Sequence, residues 1–199
     1  MSPKRRTFER RRQERTRRKL FVLAVEGRKT EKEYFALFMQ KGSVVKVECL
    51  PSGNNSSPKK VLRRMEVRLR SEALESSDEA WLVVDRDKWP DEQVLLLHAW
   101  TNKAANYSLA LSNPKFEYWL LLHFEDGQGV VTARDCDERL KKYLPDYDKG
   151  IDSQKFTRLR IDQAIQHAAA RDEGGTWPSK PGSTVYRLVQ NILAAQERA

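Results

Sequence analysis

Apolar residues fall along this chain in short unbroken runs, separated by longer stretches where they recur every three or four positions. Residues 20–25 (LFVLAV) form one such run, rich in branched side chains, as expected of a central strand covered on both faces. Glu26-Gly27 ends it, and Thr30 with Glu33 has the spacing of a capping box opening a helix that carries Tyr34, Phe35, Leu37 and Phe38. Between positions 45 and 49, apolar residues alternate with Lys46 and Glu48, which predicts a second strand with one wetter face, near a sheet edge. Ser57 can then cap, and Pro58 open, a helix running to about position 76 on an apolar stripe of Val61, Leu62, Met65 and Leu69. A third strand over 80–84 runs into Asp85-Arg86-Asp87, a helix follows from 91 to about 105, and a fourth strand covers 107–111.

Strands and helices alternating through short connections predict an α/β fold: a parallel four-stranded sheet flanked by helices. Downstream the pattern turns helical. Ser112-Asn113-Pro114 is expected to open a very apolar helix to about 124, followed by helices near 132–144, 153–172 and 183–196, with no further strand. The chain thus divides into an arm at 1–19, an α/β core at 20–112 and a helical extension at 113–199 packed on the core.

The net charge of +9 changes this picture through its distribution. Residues 1–19 hold ten Lys and Arg against Glu9 and Glu14, leaving 27 basic and 26 acidic residues in a nearly neutral body. The arm has few apolar residues with which to dock on a core. Arg10, Arg11, Arg12, Arg17, Arg18 and Lys19 can tether a nucleic-acid phosphate backbone through counterion release, or the arm can be a solvated tail. The basic faces of the 58–76 helix, with Lys59, Lys60, Arg63, Arg64, Arg68 and Arg70, pose the same choice between phosphate and solvent. No apolar run approaches the length of a membrane helix and no secretory leader is evident, so a cytoplasmic protein is expected. Cys49 and Cys136 lack zinc or disulfide spacing.

Candidate chemistry lies at the strand ends. In open parallel sheets ligands bind outside the carboxyl ends of the strands. Glu26 follows the first strand and Asp85 ends the third, so both belong to that edge; Asp87, two residues on, projects to the same side as Asp85 in extended backbone. Carboxylates converging at short range resist simultaneous ionisation. Mg²⁺ resolves the conflict, since it takes oxygen ligands and bridges to phosphate. Glu117 stands among Phe116, Trp119, Leu120 and Leu121, where a carboxylate needs a cation: either a buried arginine or the same metal site. Asn113 and Pro114 read as a helix start, His123 as a core residue or a support behind the site, and Asp146, Asp148 and Asp152 around Gly150 as a turn. The three histidines form no zinc motif, no P-loop is present, and the Trp and Tyr residues sit in apolar stripes suited to core packing.

The arrangement AVEG at 24–27 and VVDRD at 83–87 resembles the Toprim domain of primases, topoisomerases and OLD-type nucleases. More specifically, EGRKTEKEYF, VVDRDKW, SNPKFEYWLLLHF and the later STVYRLV, four ordered blocks, resemble the RloB-like (AbiLii-associated) family of bacterial restriction and abortive-infection loci, over roughly 20–193. The resemblance implies that Glu26 moves a proton in strand breakage and that Asp85 and Asp87 bind metal, and it draws attention to Asn113, Pro114 and Glu117 without fixing their roles. It also implies a separately encoded ATPase partner. The expected function is an Mg²⁺-dependent nuclease, Mn²⁺ being an alternative ion, acting on DNA or RNA, transfer RNA included, as a defence effector. A noncatalytic nucleic-acid-binding or regulatory subunit is the competing expectation, and nucleotidyl transfer a third.

Overall fold

A computed structural model describes residues 17–39, 42–52, 57–86 and 89–198. Four strands are parallel: β1 (Lys19–Val25), β2 (Val45–Cys49), β3 (Glu79–Asp85) and β4 (Tyr107–Asn113). A fifth, β5 (Gly182–Ser183), runs antiparallel to β4, and the sheet order is β2-β1-β3-β4-β5. Among the described residues the expected sheet of four is therefore a sheet of five. Two residues carry no periodicity, so β5 left no pattern to read; it is held by register, with Ser183 opposite Ser112 and their buried hydroxyls 2.9 Å apart.

Among the described residues, seven helices flank the sheet: α1 (Thr30–Ala36), α2 (Pro58–Ser71), α3 (Asp91–Thr101), α4 (Phe116–Leu121), α5 (Ala133–Tyr143), α6 (Arg158–Ala170) and α7 (Val185–Glu197). The unbroken apolar runs are explained by two cores. Alternate residues of β1 (Phe21, Leu23, Val25) join Tyr34 and Phe35 of α1 and the C-terminal helices, through Trp119, Leu120, Leu188 and Ile192. The intervening Val22 and Ala24 face Val61, Leu62 and Met65 of α2 and Val94, Leu97 and Trp100 of α3. A strand buried on both sides leaves no polar face. The C-terminal helices and the sheet share one core, and β2 lies at the edge, as its alternation predicts.

Boundaries depart from the sequence pattern where tertiary contacts intervene. α2 ends at Ser71 and α3 at Thr101, about five and four residues early. Ser112 and Asn113 extend β4 rather than opening a helix; the Asn113–Pro114 peptide is cis and α4 begins at Phe116. The stretch expected as one helix over 153–172 is broken at Thr157, whose side chain accepts from the Arg160 N–H and caps α6. Both cysteines are free, and burial pushes each thiol up to about 12, so neither is a thiolate near neutral pH. Among the described residues no helix is long and apolar enough to cross a membrane.

Candidate functional site

The carboxyl edge of the sheet gathers acidic side chains. The Glu26 N–H continues the β1 ladder by donating to the Val83 carbonyl of β3. Its carboxylate turns across the strand ends, where Oε2 accepts the Asp85 backbone N–H at 3.0 Å. Two residues 59 positions apart are thereby held in contact. Gly27 allows a third acid to approach. Glu31, in the first turn of α1 and only 4 % exposed, accepts the Gly27 N–H on Oε1 at 2.7 Å. A Cβ on Gly27 would lie 2.1 Å from the other Glu31 oxygen, so close approach rather than backbone conformation requires glycine here.

Asp85 bears the cost of this crowding. Burial, then the charges of Glu31, Glu26 and Glu117, push its carboxyl well above the usual aspartate range, against a hydrogen bond from the Phe116 N–H. Burial also raises Glu31, opposed by backbone hydrogen bonds including that from Gly27.

Glu117, buried in the first turn of α4, takes a different course. Burial pushes its carboxyl up, but the hydrogen bond and charge of Lys149 outweigh this and hold it below the usual range. Glu117 Oε1 accepts from the Lys149 ammonium and, at 3.1 Å, from the Tyr147 hydroxyl. The cation expected from the sequence is thus a lysine on a distant loop, not an arginine. Lys149 has φ +62°, a left-handed conformation uncommon for a side-chain-bearing residue. The loop is fastened to α1: the Thr30 hydroxyl donates to the Lys149 carbonyl at 3.0 Å, and Glu33 accepts the Ile151 N–H at 2.7 Å.

Thr30 and Glu33, expected as a capping box, therefore serve tertiary contacts; the N-cap is Lys29, without a side-chain cap hydrogen bond. Ser57 does precede α2 in extended conformation, also without one, and Pro58 takes the first turn.

Behind the site, His123 is a core residue. Its Nε2 lies 3.0 Å from the Tyr34 hydroxyl and its Nδ1 3.0 Å from the Trp119 carbonyl, and burial pushes the imidazole down to about 3. On the α2 side, Arg64 donates to the Val25 carbonyl; burial lowers its pKa, while the charge of Glu26 acts in the other direction.

The structure thus brings Glu26, Asp85 and Glu117 to one edge and adds Glu31, Tyr147 and Lys149, which the sequence reading passed over. Glu31 had a signal, an acid one turn beyond the Glu26-Gly27 break; Lys149 had none, because its partner is 32 residues away. Asp87 lies outside the described residues, as do Arg10, Arg11 and Arg12 of the arm. Of the remaining arm residues, Arg17 pairs with Asp78 and Glu75, and Lys19 is the first residue of β1 and pairs with Glu79, both at the amino edge of the sheet. Arg18 is exposed.

Carboxylate oxygens are the donors Mg²⁺ takes, and the charge pressed on Asp85 is what a divalent cation relieves, so the donor chemistry fits. Among the described residues, however, no three acidic, histidine or cysteine side chains are gathered into a ready ligand set. A sequence model of a family described as RloB-like protein matches residues 21–192. No curated protein and no solved structure matches the chain.

Proposed function

Because this chain belongs to the RloB-like protein family, we propose that it is an Mg²⁺-dependent nuclease of the Toprim type. It would hydrolyse phosphodiester bonds of DNA or RNA, transfer RNA included, as the effector of a bacterial anti-phage system containing a separately encoded ATPase. The observation that carries this reading is Asp85, whose carboxyl is held at the carboxyl edge among Glu26, Glu31 and Glu117 although each raises the cost of its charge. Arrangements that oppose stability are characteristic of sites built for a ligand.

In this reading Glu26, oriented by the Asp85 N–H, moves the proton of the attacking water. Asp85 and Glu26, with Asp87 beyond them, would hold Mg²⁺ or Mn²⁺, which when bound stabilises charge developing on the phosphate. Lys149, half-exposed above Glu117, keeps a positive charge at the same edge, and Tyr147 restrains Glu117 by its hydroxyl.

Cleavage of duplex DNA, messenger RNA and transfer RNA with Mg²⁺ or Mn²⁺ tests the proposal, comparing the wild type with Glu26→Gln and Asp85→Asn. Metal-dependent cleavage should fall by about a hundredfold or more in both variants while binding persists. Cleavage that is undiminished in the variants, or a wild type that binds nucleic acid and never cleaves it, would sink the nuclease reading. The second outcome fits a noncatalytic nucleic-acid-binding or regulatory subunit of an ATPase-containing defence complex. That alternative is favoured by one observation: Glu117 is already neutralised by Lys149.

A further inference from the structure

α2 follows β2, so its first turn starts at the carboxyl edge, where Glu26 and Asp85 stand. Pro58, Val61, Leu62 and Met65 are buried, while Lys59, Lys60, Arg63 and Arg70 are exposed on the opposite face. Arg68 is bound to Glu48 and Glu72. In contrast, the side chains of Lys59, Lys60 and Arg63 make no ion pair or hydrogen bond among the described residues. They also sit where cations are disfavoured. The first turn of α2 contains no acid, so Lys59 and Lys60 meet the positive end of the helix dipole, and each also faces Arg63, at spacings of four and three residues. Arg64, one turn beyond Lys60, continues this face inward to the Val25 carbonyl and feels the charge of Glu26.

The geometry points to the outer face of α2 as the surface that seats a nucleic-acid phosphodiester backbone, with Lys59, Lys60 and Arg63 contacting phosphates beside the carboxylate edge. The inference rests on the nuclease reading for its purpose and on charge complementarity for its substance. A polyanion brought to Glu26, Glu31, Asp85 and Glu117 is repelled unless cations flank them, and this face supplies those cations at the same edge. The described root of the N-terminal arm stands at the opposite edge of the sheet. Arg17 and Lys19 are paired at the amino edge, and the seven residues of β1 separate that edge from Glu26 by about 20 Å.

The test is binding of the full-length protein, in EDTA, to a labelled DNA duplex and to a transfer RNA across a salt series. The variant Lys59→Gln/Lys60→Gln/Arg63→Gln alters only exposed side chains, and an unchanged melting curve checks its fold. Its affinity should fall on the order of tenfold, and the slope of log affinity against log salt should fall by about two to three. Loss on only one probe supports the surface and assigns it to that nucleic acid. Unchanged affinity and slope on both probes would overturn the inference, as would a wild type that binds neither, or binding abolished wholly by Arg10→Gln/Arg11→Gln/Arg12→Gln while the α2 variant binds normally. Because EDTA removes catalysis from the measurement, a protein that binds through α2 yet never cleaves would count against the nuclease reading alone.

Discussion

The backbone N–H of Asp85 donates to Glu26 Oε2, so the acid that follows β1 is oriented by the main chain, not the side chain, of the acid that ends β3. Glu26 consequently stays in place when the Asp85 carboxyl is altered, and the charge of that carboxyl can be tested alone.

Asp85→Asn should stabilise the protein at pH 7 by about 1 kcal/mol, the gain typical of relieving a strained functional site. Burial and then Glu31, Glu26 and Glu117 raise the folded pKa of Asp85 above its ordinary 3.8, so its protonated form is the favoured one and stability is lost as pH rises toward the folded value. The difference between variant and wild type should therefore shrink as pH falls through the ordinary 3.8 and vanish by about pH 2–3, where the aspartate is protonated in both states. Thermal melts over a pH series check this, and added Mg²⁺ should raise the wild-type melting temperature more than the variant's. A variant less stable than wild type at pH 7 contradicts the account.

Lys149→Met should cost about 2 kcal/mol in urea denaturation. Removing one partner of a fully buried pair costs more, but the Lys149 side chain is 58 % exposed and water screens the loss. Glu117 has a lowered folded pKa, so its contribution is present above the unfolded value and lost as pH falls through the folded one. The variant should lose that acid dependence, and adding Glu117→Gln should restore most of the stability. Independent, additive effects of the two changes would exclude the coupling.

His123 should supply a separate acid sensitivity. Its folded pKa is pushed down to about 3 from an ordinary 6.5, so stability is present above 6.5 and lost as pH falls toward 3, by at most about 1.4 kcal/mol per pH unit. His123→Gln should flatten this part of the stability profile even if it lowers stability overall. NMR of the imidazole should show a neutral ring at pH 5; a ring titrating near 6.5 in the folded protein would refute it.

Gly27→Ala should destabilise by about 1–2 kcal/mol, because the new methyl displaces the Glu31 carboxylate from the Gly27 N–H. Gly27→Ala with Glu31→Ala should cost less than the sum of the single changes, as expected of residues in direct contact. Equal additivity in denaturant melts would show that the contact does not govern the turn.

Much of the sheet was legible because its signals are local. Residues 20–25 and 80–84 are apolar on both faces, and the intervening helical stripes dictate crossovers that make the strands parallel. Strand direction then puts Glu26 and Asp85 on one edge. Thr30 and Glu33 misled for the opposite reason: their spacing matches a local motif, but partners at Lys149 and Ile151, well over a hundred positions away, claim both side chains. Ser112 and Asn113 read locally as a helix start and belong instead to β4, because the strand that pairs with them, β5, comes only at position 182.

The sequence alone determined the α/β alternation, the edge to which the strand-end acids belong and the separation of a basic arm from a nearly neutral body, since each follows from local period, strand direction or residue count. Only tertiary structure decided that Asp85 is crowded by Glu31 as well as Glu26, that Glu117 is answered by Lys149, and that unpaired cations of α2 share the carboxylate edge while Arg17 and Lys19 are paired at the other. The physical reason is range. Period and propensity are properties of neighbouring residues, whereas a carboxylate's charge state depends on whatever the fold brings within a few ångströms of it.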